Sequence, residues 1–305
     1  METTTPPASY SATGRVLQTL GQEDWTFISP TPFPSTSNHG SAVVDGLLYV
    51  IGGNSRITDR TAVYDPDTDT WSAEAPMPLG PRTYLACAAV GTTIYAIGGS
   101  TNASGSGHLD RVEAYDTLTD TWSTRAPLPG GPRQRLVAAE VGGKVYAIAG
   151  WDGSYLGTVE EYDPVSDTWV SKSGLPSARY WPACAVLDGL IYVLGGYRGF
   201  DEPSVYTYDP VADQWQYRGE MPIALKRSGA VALNGHIHLY GGSQLSTNSR
   251  AVLEYSPSAE IWIEKSLAPT ARAGHSMNVI DGVAYIVPNM RYEARNMLLE
   301  LFQKD

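Results

Sequence analysis

SAVVDGLLYVIGGNSRITDRTAVYDPDTDTW, Ser41 to Trp71, contains the unit from which the rest of the chain is built. Asp45-Gly46 separates two short apolar runs, Ser41–Val44 and Leu47–Ile51. An Asp-Gly pair supplies the positive φ that a two-residue hairpin turn needs. Gly52-Gly53 ends the second run. A third run, Thr61–Tyr64, leads into Asp65-Pro66-Asp67-Thr68-Asp69, where Pro fixes φ and Asp offers a side-chain acceptor. Thr70-Trp71 opens a fourth. Four short strands joined by tight turns make one antiparallel sheet.

Working outward, the unit recurs. Trp25, Trp71, Trp122, Trp169, Trp215 and Trp262 are spaced 46, 51, 47, 46 and 47 residues apart. Gly98-Gly99, Ala149-Gly150, Gly195-Gly196 and Gly241-Gly242 repeat the Gly-Gly step, which degenerates at Pro288-Asn289. Tyr64-Asp65, Tyr115-Asp116, Tyr162-Asp163 and Tyr208-Asp209 form a third series, worn at Tyr255-Ser256. Four-stranded units at this period are the signature of propeller blades. The last unit supplies three strands, ending in Ala294–Phe302, and no Trp-bearing fourth. The chain begins with one instead, Asp24-Trp25-Thr26-Phe27-Ile28. The expectation is an all-β, six-bladed β-propeller of four-stranded antiparallel blades, its last blade closed by the N-terminal strand. Residues 1–20 are expected to be a flexible N-terminal tail and 21–305 a single propeller. Its repeats fall near 36–80, 81–131, 132–178, 179–224, 225–270 and 271–305 plus 21–30.

Gly-Gly, then Tyr-Asp, then Trp about six residues on resembles the kelch repeat. The resemblance covers roughly residues 21–305. It implies recognition of protein partners as the commonest use of the fold. It also admits enzymes, among them copper radical oxidases, iron-dependent specifier proteins and sialic-acid epimerases. The specifier motif is absent, and Cys87 and Cys184 read as buried free thiols rather than half of a Tyr–Cys crosslink. With only about twenty residues outside the repeats, no BTB, BACK or F-box segment is expected in this sequence.

Composition narrows the partners. The 305 residues carry a net charge of −11, which disfavours non-specific binding to nucleic acid or an anionic membrane. Neither a signal peptide nor an apolar run long enough to span a bilayer is present. Two cysteines make no disulfide framework. The expectation is a cytoplasmic monomer that needs no metal or cofactor. Asp65, Asp67 and Asp69 resemble a calcium loop only superficially, lacking its Gly and Glu.

The order of turns sorts the loops by face. The turns within the first and second hairpins of each unit share one end and are rich in Asp. The other end carries Arg56, Arg82, Arg133, Arg135, Arg179, Arg198, Arg227, Arg272 and Arg291, with Lys226. Just before each first strand runs the series Thr36, Arg82, Arg133, Arg179, Leu225, Arg272. An Arg here is frequent in kelch repeats, so the resemblance makes much of this series framework. Two residues on, the series is Asn38, Tyr84, Arg135, Trp181, Arg227, Gly274, which varies in chemistry while the framework repeats. In kelch proteins that bind at this face, selectivity resides there.

The candidate ligand-binding residues are Asn38, Arg82, Tyr84, Arg135, Trp151, Trp181, Tyr197, Arg198, Arg227, Arg291 and Tyr292. Arg offers a planar fork to a carboxylate or phosphate, and aromatic faces stack on the rest of a ligand. An acidic peptide or protein, or a small anionic molecule, meets that description. The Gly/Ser-rich loop Ser100–Asp110 at the same end reads as a mobile lid. The alternative is a cofactor-independent isomerase, epimerase or cyclase in small-molecule biosynthesis, using the same pocket. Its candidate acid–base residues are His39, His275, Tyr84 and Tyr180.

Overall fold

A computed structural model describes residues 9–11, 24–29, 37–53, 58–102, 106–287 and 296–300. Every regular element among them is a β-strand. Each repeat lays down its strands in order from an inner strand to an outer one. In the first, Gly40–Val44 pairs with Leu47–Ile51, that with Thr61–Asp65, and that with Thr70–Glu74. The fold is a β-propeller of four-stranded antiparallel blades.

Five sheets of the ring have four strands, where six such blades were expected, and one has five. The difference lies in the fifth repeat. Ser9–Ser11 adds to its outer strand, Ile261–Glu264. An outer strand is an open edge of unpaired N–H and C=O groups, and this segment covers it. Part of the stretch expected to be a tail is therefore a strand. The last sheet contains Asp24–Ile28 paired with Asn296–Glu300, so strands from opposite ends of the chain share one sheet. A two-stranded hairpin, Ser243–Gln244 with Thr247–Asn248, stands apart from the blades.

Repeated side chains fasten each unit to the one before it. Asp69, Asp120, Asp167 and Asp213 sit in the left-handed region (φ 50–52°). Each accepts a hydrogen bond from its own Tyr: Tyr64, Tyr115, Tyr162 and Tyr208, at 2.6–2.7 Å. Each also accepts one from a backbone N–H of the preceding sheet, at Ser29, Ala75, Ala126 and Ser173. Trp71, Trp122, Trp169 and Trp215 donate Nε1–H to the carbonyls of those same four residues. The recurring Tyr, Asp and Trp are thus one clamp. The Asp-rich end is accounted for by turns and clamps, and no His/Cys/Asp/Glu group suited to a metal occurs among the described residues.

The Gly-Gly steps let neighbouring backbones pass closely. At Gly195 (φ +62°) a Cβ would lie 2.2 Å from the Leu225 carbonyl.

Candidate functional site

The six inner strands enclose a central channel, and its mouth is a closed ring of backbone hydrogen bonds. Tyr84 N–H donates to Asn38 O, Arg135 to Tyr84, Trp181 to Arg135, Arg227 to Trp181, Gly274 to Arg227, and Asn38 to Gly274, at 2.8–3.0 Å. All six residues are left-handed, with φ between 56° and 69°. For Tyr, Arg and Trp that conformation costs about 1–2 kcal/mol each. Strain of this kind survives only where surrounding structure over-determines it, and such places are often functional. Below the ring lies a pocket of about 200 Å³, lined by four residues from each unit, running from the ring residue into the start of the inner strand.

Tyr84, Arg135, Trp181 and Arg227 form one arc of the mouth. The Arg135 guanidinium lies 4.3 Å from the Trp181 ring centroid and 4.8 Å from Tyr84. Arg227 lies 4.8 Å from the same indole. Two cations thus share one ring, and Arg135 also lies over the neighbouring Tyr84 ring. The lining of the pocket includes no Asp or Glu. The other arc is small. Gly274 leaves a gap through which Arg227 Nη2 reaches Asn38 Oδ1 at 3.2 Å.

The structure separates the two arginine series. Arg82 does not line the pocket, correcting its assignment to the ligand site. It is fully buried, ion-paired with Glu113 at 2.6 Å, and donates to the carbonyls of Gly98, Arg111 and Ala96. Burial pulls its pKa down to about 10 while Glu113 opposes the fall, so it stays charged at neutral pH. Arg133 pairs with Glu160 at 2.5 Å, and Arg179 donates to Ser177 O, Gly195 O and Ser204. These arginines replace the missing hydrogen bonds of irregular backbone between strands.

His39 and His275 do not form a facing acid–base pair. Each reaches the inner strand of the preceding unit. His275 Nε2 accepts the Gly229 N–H at 3.1 Å, and His39 Nε2 lies 2.8 Å from Ser276 Oγ. Burial drives the His275 pKa down to about 3, with Arg272, His39 and Arg227 acting in the same direction. It is therefore a neutral acceptor holding two units together.

Trp151, Tyr155, Tyr180 and Tyr197 form an aromatic wall beside the mouth, joined to it through Tyr180 and Trp181 at 4.8 Å. Tyr155 and Tyr180 are nearly parallel, 5.8 Å apart. The wall rises because Lys144–Trp151 and Tyr155–Asp163 are longer than their five-residue counterparts. Tyr180 belongs to this wall rather than to the channel. Lys226 Nζ lies over Tyr197 at 4.4 Å and pairs with Asp201 at 2.5 Å. Arg198 is spent on Glu202 and Phe200, outside the channel. Arg56, Arg291 and Tyr292 lie outside the described residues, as does part of the Ser100–Asp110 loop.

Two features of the pocket were not anticipated. Cys87 and Cys184, read as simply buried, line it. Their depth pushes both thiols up to about 12, so neither is a thiolate at neutral pH. The seam between the sixth and first units is polar, with Ser41 and Asn278 hydrogen-bonded beside His39 and Ser276. Ser41, where the other units carry Cys, Ala or Met, and Ser276, where they carry Gly, Ala or Val, were the available signal.

Comparison with known proteins places this geometry. A family model described as the KLHDC2/KLHL20/DRC7 Kelch-repeats domain matches residues 16–196, and a Kelch motif model matches residues 178–222. Kelch-like protein terF of Aspergillus terreus is 34% identical over 131 residues, covering 39% of this chain and 28% of that protein. F-box protein AFR of Arabidopsis thaliana is 30% identical over 139 residues, 43% of this chain and 36% of that protein. Kelch repeat and BTB domain-containing protein 12 of Homo sapiens is 30% identical over 154 residues, 44% and 24% respectively. The matched stretches thus span between 24% and 36% of these relatives' own length. The solved structure of YjhT superimposes with a TM-score of 0.75 at 15% identity, covering 89% of this chain and 96% of that one. At that identity the likeness is one of fold.

Proposed function

The chain belongs to the kelch-repeat family, and from that premise we propose that it is a six-bladed binding propeller that captures an anionic ligand at the channel mouth. Kelch repeats are protein-interaction modules, which makes binding the general role. The observation that carries the anionic reading is the Arg135–Trp181–Arg227 arrangement above a pocket without a carboxylate. Two guanidinium groups on one indole repel each other, and a bound anion relieves that repulsion. Arg135 keeps its fork available, since no salt bridge to it exists among the described residues. A charged hydrogen bond in a half-buried site contributes about 1.5–3 kcal/mol.

The test is fluorescence polarisation against a labelled library of synthetic peptides graded in charge. Acidic peptides should bind best, and affinity should fall as salt screens the contact. Arg135→Met with Arg227→Met should remove that preference. Arg218→Met, which alters a cation on an outer strand, should leave it intact. Equal binding of acidic and neutral peptides, or an unchanged preference in the double variant, would overturn the reading.

A further inference from the structure

We infer that the occupant of the channel is a small organic acid with a flat apolar body, held with its carboxylate or phosphate at the Arg135–Arg227 level and its body below. This rests on the anion-binding reading and names the ligand class. The pocket is amphipathic around its circumference. Beneath the aromatic and arginine arc, its wall is Cys87, Val137, Ala138, Cys184 and Ala230. With both thiols held neutral, that sector offers methyl, methylene and sulfhydryl surface. Opposite, at the seam, it presents His39, Ser41 and Ser276. A ligand in this space therefore meets cations at the top, an apolar wall on one side and hydrogen-bonding groups on the other.

Size and shape point the same way. At roughly 30 Å³ per liquid water, 200 Å³ holds only about seven waters. Ligand pockets for drug-sized molecules run to roughly 300–1,000 Å³. One or two rings with an acid group fit a space of this size. Tyr84 and Trp181 come to 6.2 Å of one another, and the Arg135 guanidinium lies against both rings. A planar body slides past such faces at little entropic cost. A polypeptide would have to thread its backbone into an apolar sector that satisfies none of its N–H groups. It would sit instead across the raised wall of Trp151, Tyr155 and Tyr197.

The experiment is quenching of intrinsic Trp fluorescence by benzoate and phenyl phosphate. Benzamide and acetate serve as probes lacking the charge and the body. A labelled acidic peptide is titrated in parallel. Benzoate should quench saturably, at least about tenfold more tightly than benzamide or acetate. Arg135→Met should abolish this. Ala138→Leu, which fills the channel below the arginines, should abolish benzoate binding while melting cooperatively like the parent. Arg218→Met on an outer strand should leave it unchanged. Peptide binding that survives Ala138→Leu, with no benzoate binding to the parent, would overturn this inference and leave the anion-binding reading standing. Failure of both benzoate and peptide would remove both. Equal affinity for benzoate and benzamide would also overturn it.

Discussion

Gly274 shows how a single residue shapes the mouth. A Cβ there would lie 2.6 Å from Asn38 Oδ1 and 2.8 Å from Arg227 Nη2, in a backbone with φ +69°. Gly274→Ala should therefore cost about 1–2 kcal/mol of stability and dislodge Arg227. Chemical denaturation and anion titration check the two effects separately. Arg82 and Arg135 make the complementary case: their positions lie two residues apart in equivalent turns (82 and 84, 133 and 135), yet they differ in role. Arg82→Met leaves Glu113 charged and buried, so it should destabilise the fold by about 3–5 kcal/mol. Arg135→Met removes contacts to the Tyr84 and Trp181 rings, so it should cost about 1 kcal/mol and lose anion binding. The repeat pattern sets most of the Arg82 series apart as framework, yet it leaves Arg82 itself among the ligand candidates. Burial depends on which neighbouring strand each side chain meets, and the Glu113 and Glu160 partners come from strands about 30 residues on.

At the scale of elements, the Tyr–Asp–Trp clamp explains why the repeat spacing was legible. Its residues must recur because each joins one sheet to the next. The fifth repeat breaks it. Glu260 replaces Asp (φ +54°) and turns to Arg218, 3.6 Å away. Tyr255 Oη and Trp262 Nε1 are then buried without hydrogen-bond partners among the described residues. Glu260→Asp should restore the shorter reach and raise stability by about 1 kcal/mol, read as a higher melting temperature. In the same unit His238 takes the slot of Tyr49, Tyr95, Tyr146 and Tyr192. Burial lowers its pKa to about 4 despite Glu254, with Lys265 and His236 nearby reinforcing the fall. The unfolded chain therefore binds a proton more readily, with an ordinary His pKa near 6.5. Stability should be full above about pH 6.5 and decline as pH falls toward 4. His238→Tyr should flatten part of that decline in a pH series of thermal melts, by offering Glu254 the hydroxyl contact that Tyr146 makes with Glu161 at 2.8 Å. The extra strand at Ser9–Ser11 escaped sequence reading because three residues are too few to establish a period.

Across the whole molecule, the ring converts six similar strands into one asymmetric mouth. The repeat supplies the left-handed backbone and its hydrogen-bonded circle. Departures from the repeat supply the chemistry: Tyr84, Arg135, Trp181 and Arg227 on one arc, Asn38 and Gly274 on the other. That series was readable because its residues vary while their surroundings do not. The contacts that His39 and His275 make across units, and the channel position of both cysteines, were not readable, because each depends on how neighbouring units meet. The central claim is that this mouth captures anions through two named side chains. It is tested most directly by arginine Nε–Hε NMR spectra recorded while benzoate is added to the intact chain. The account predicts saturable shifts of the Arg135 and Arg227 resonances, with the buried Arg82, Arg133 and Arg179 and the exposed Arg198 unmoved. Shifts distributed over exposed arginines, or none at Arg135 and Arg227, would contradict it.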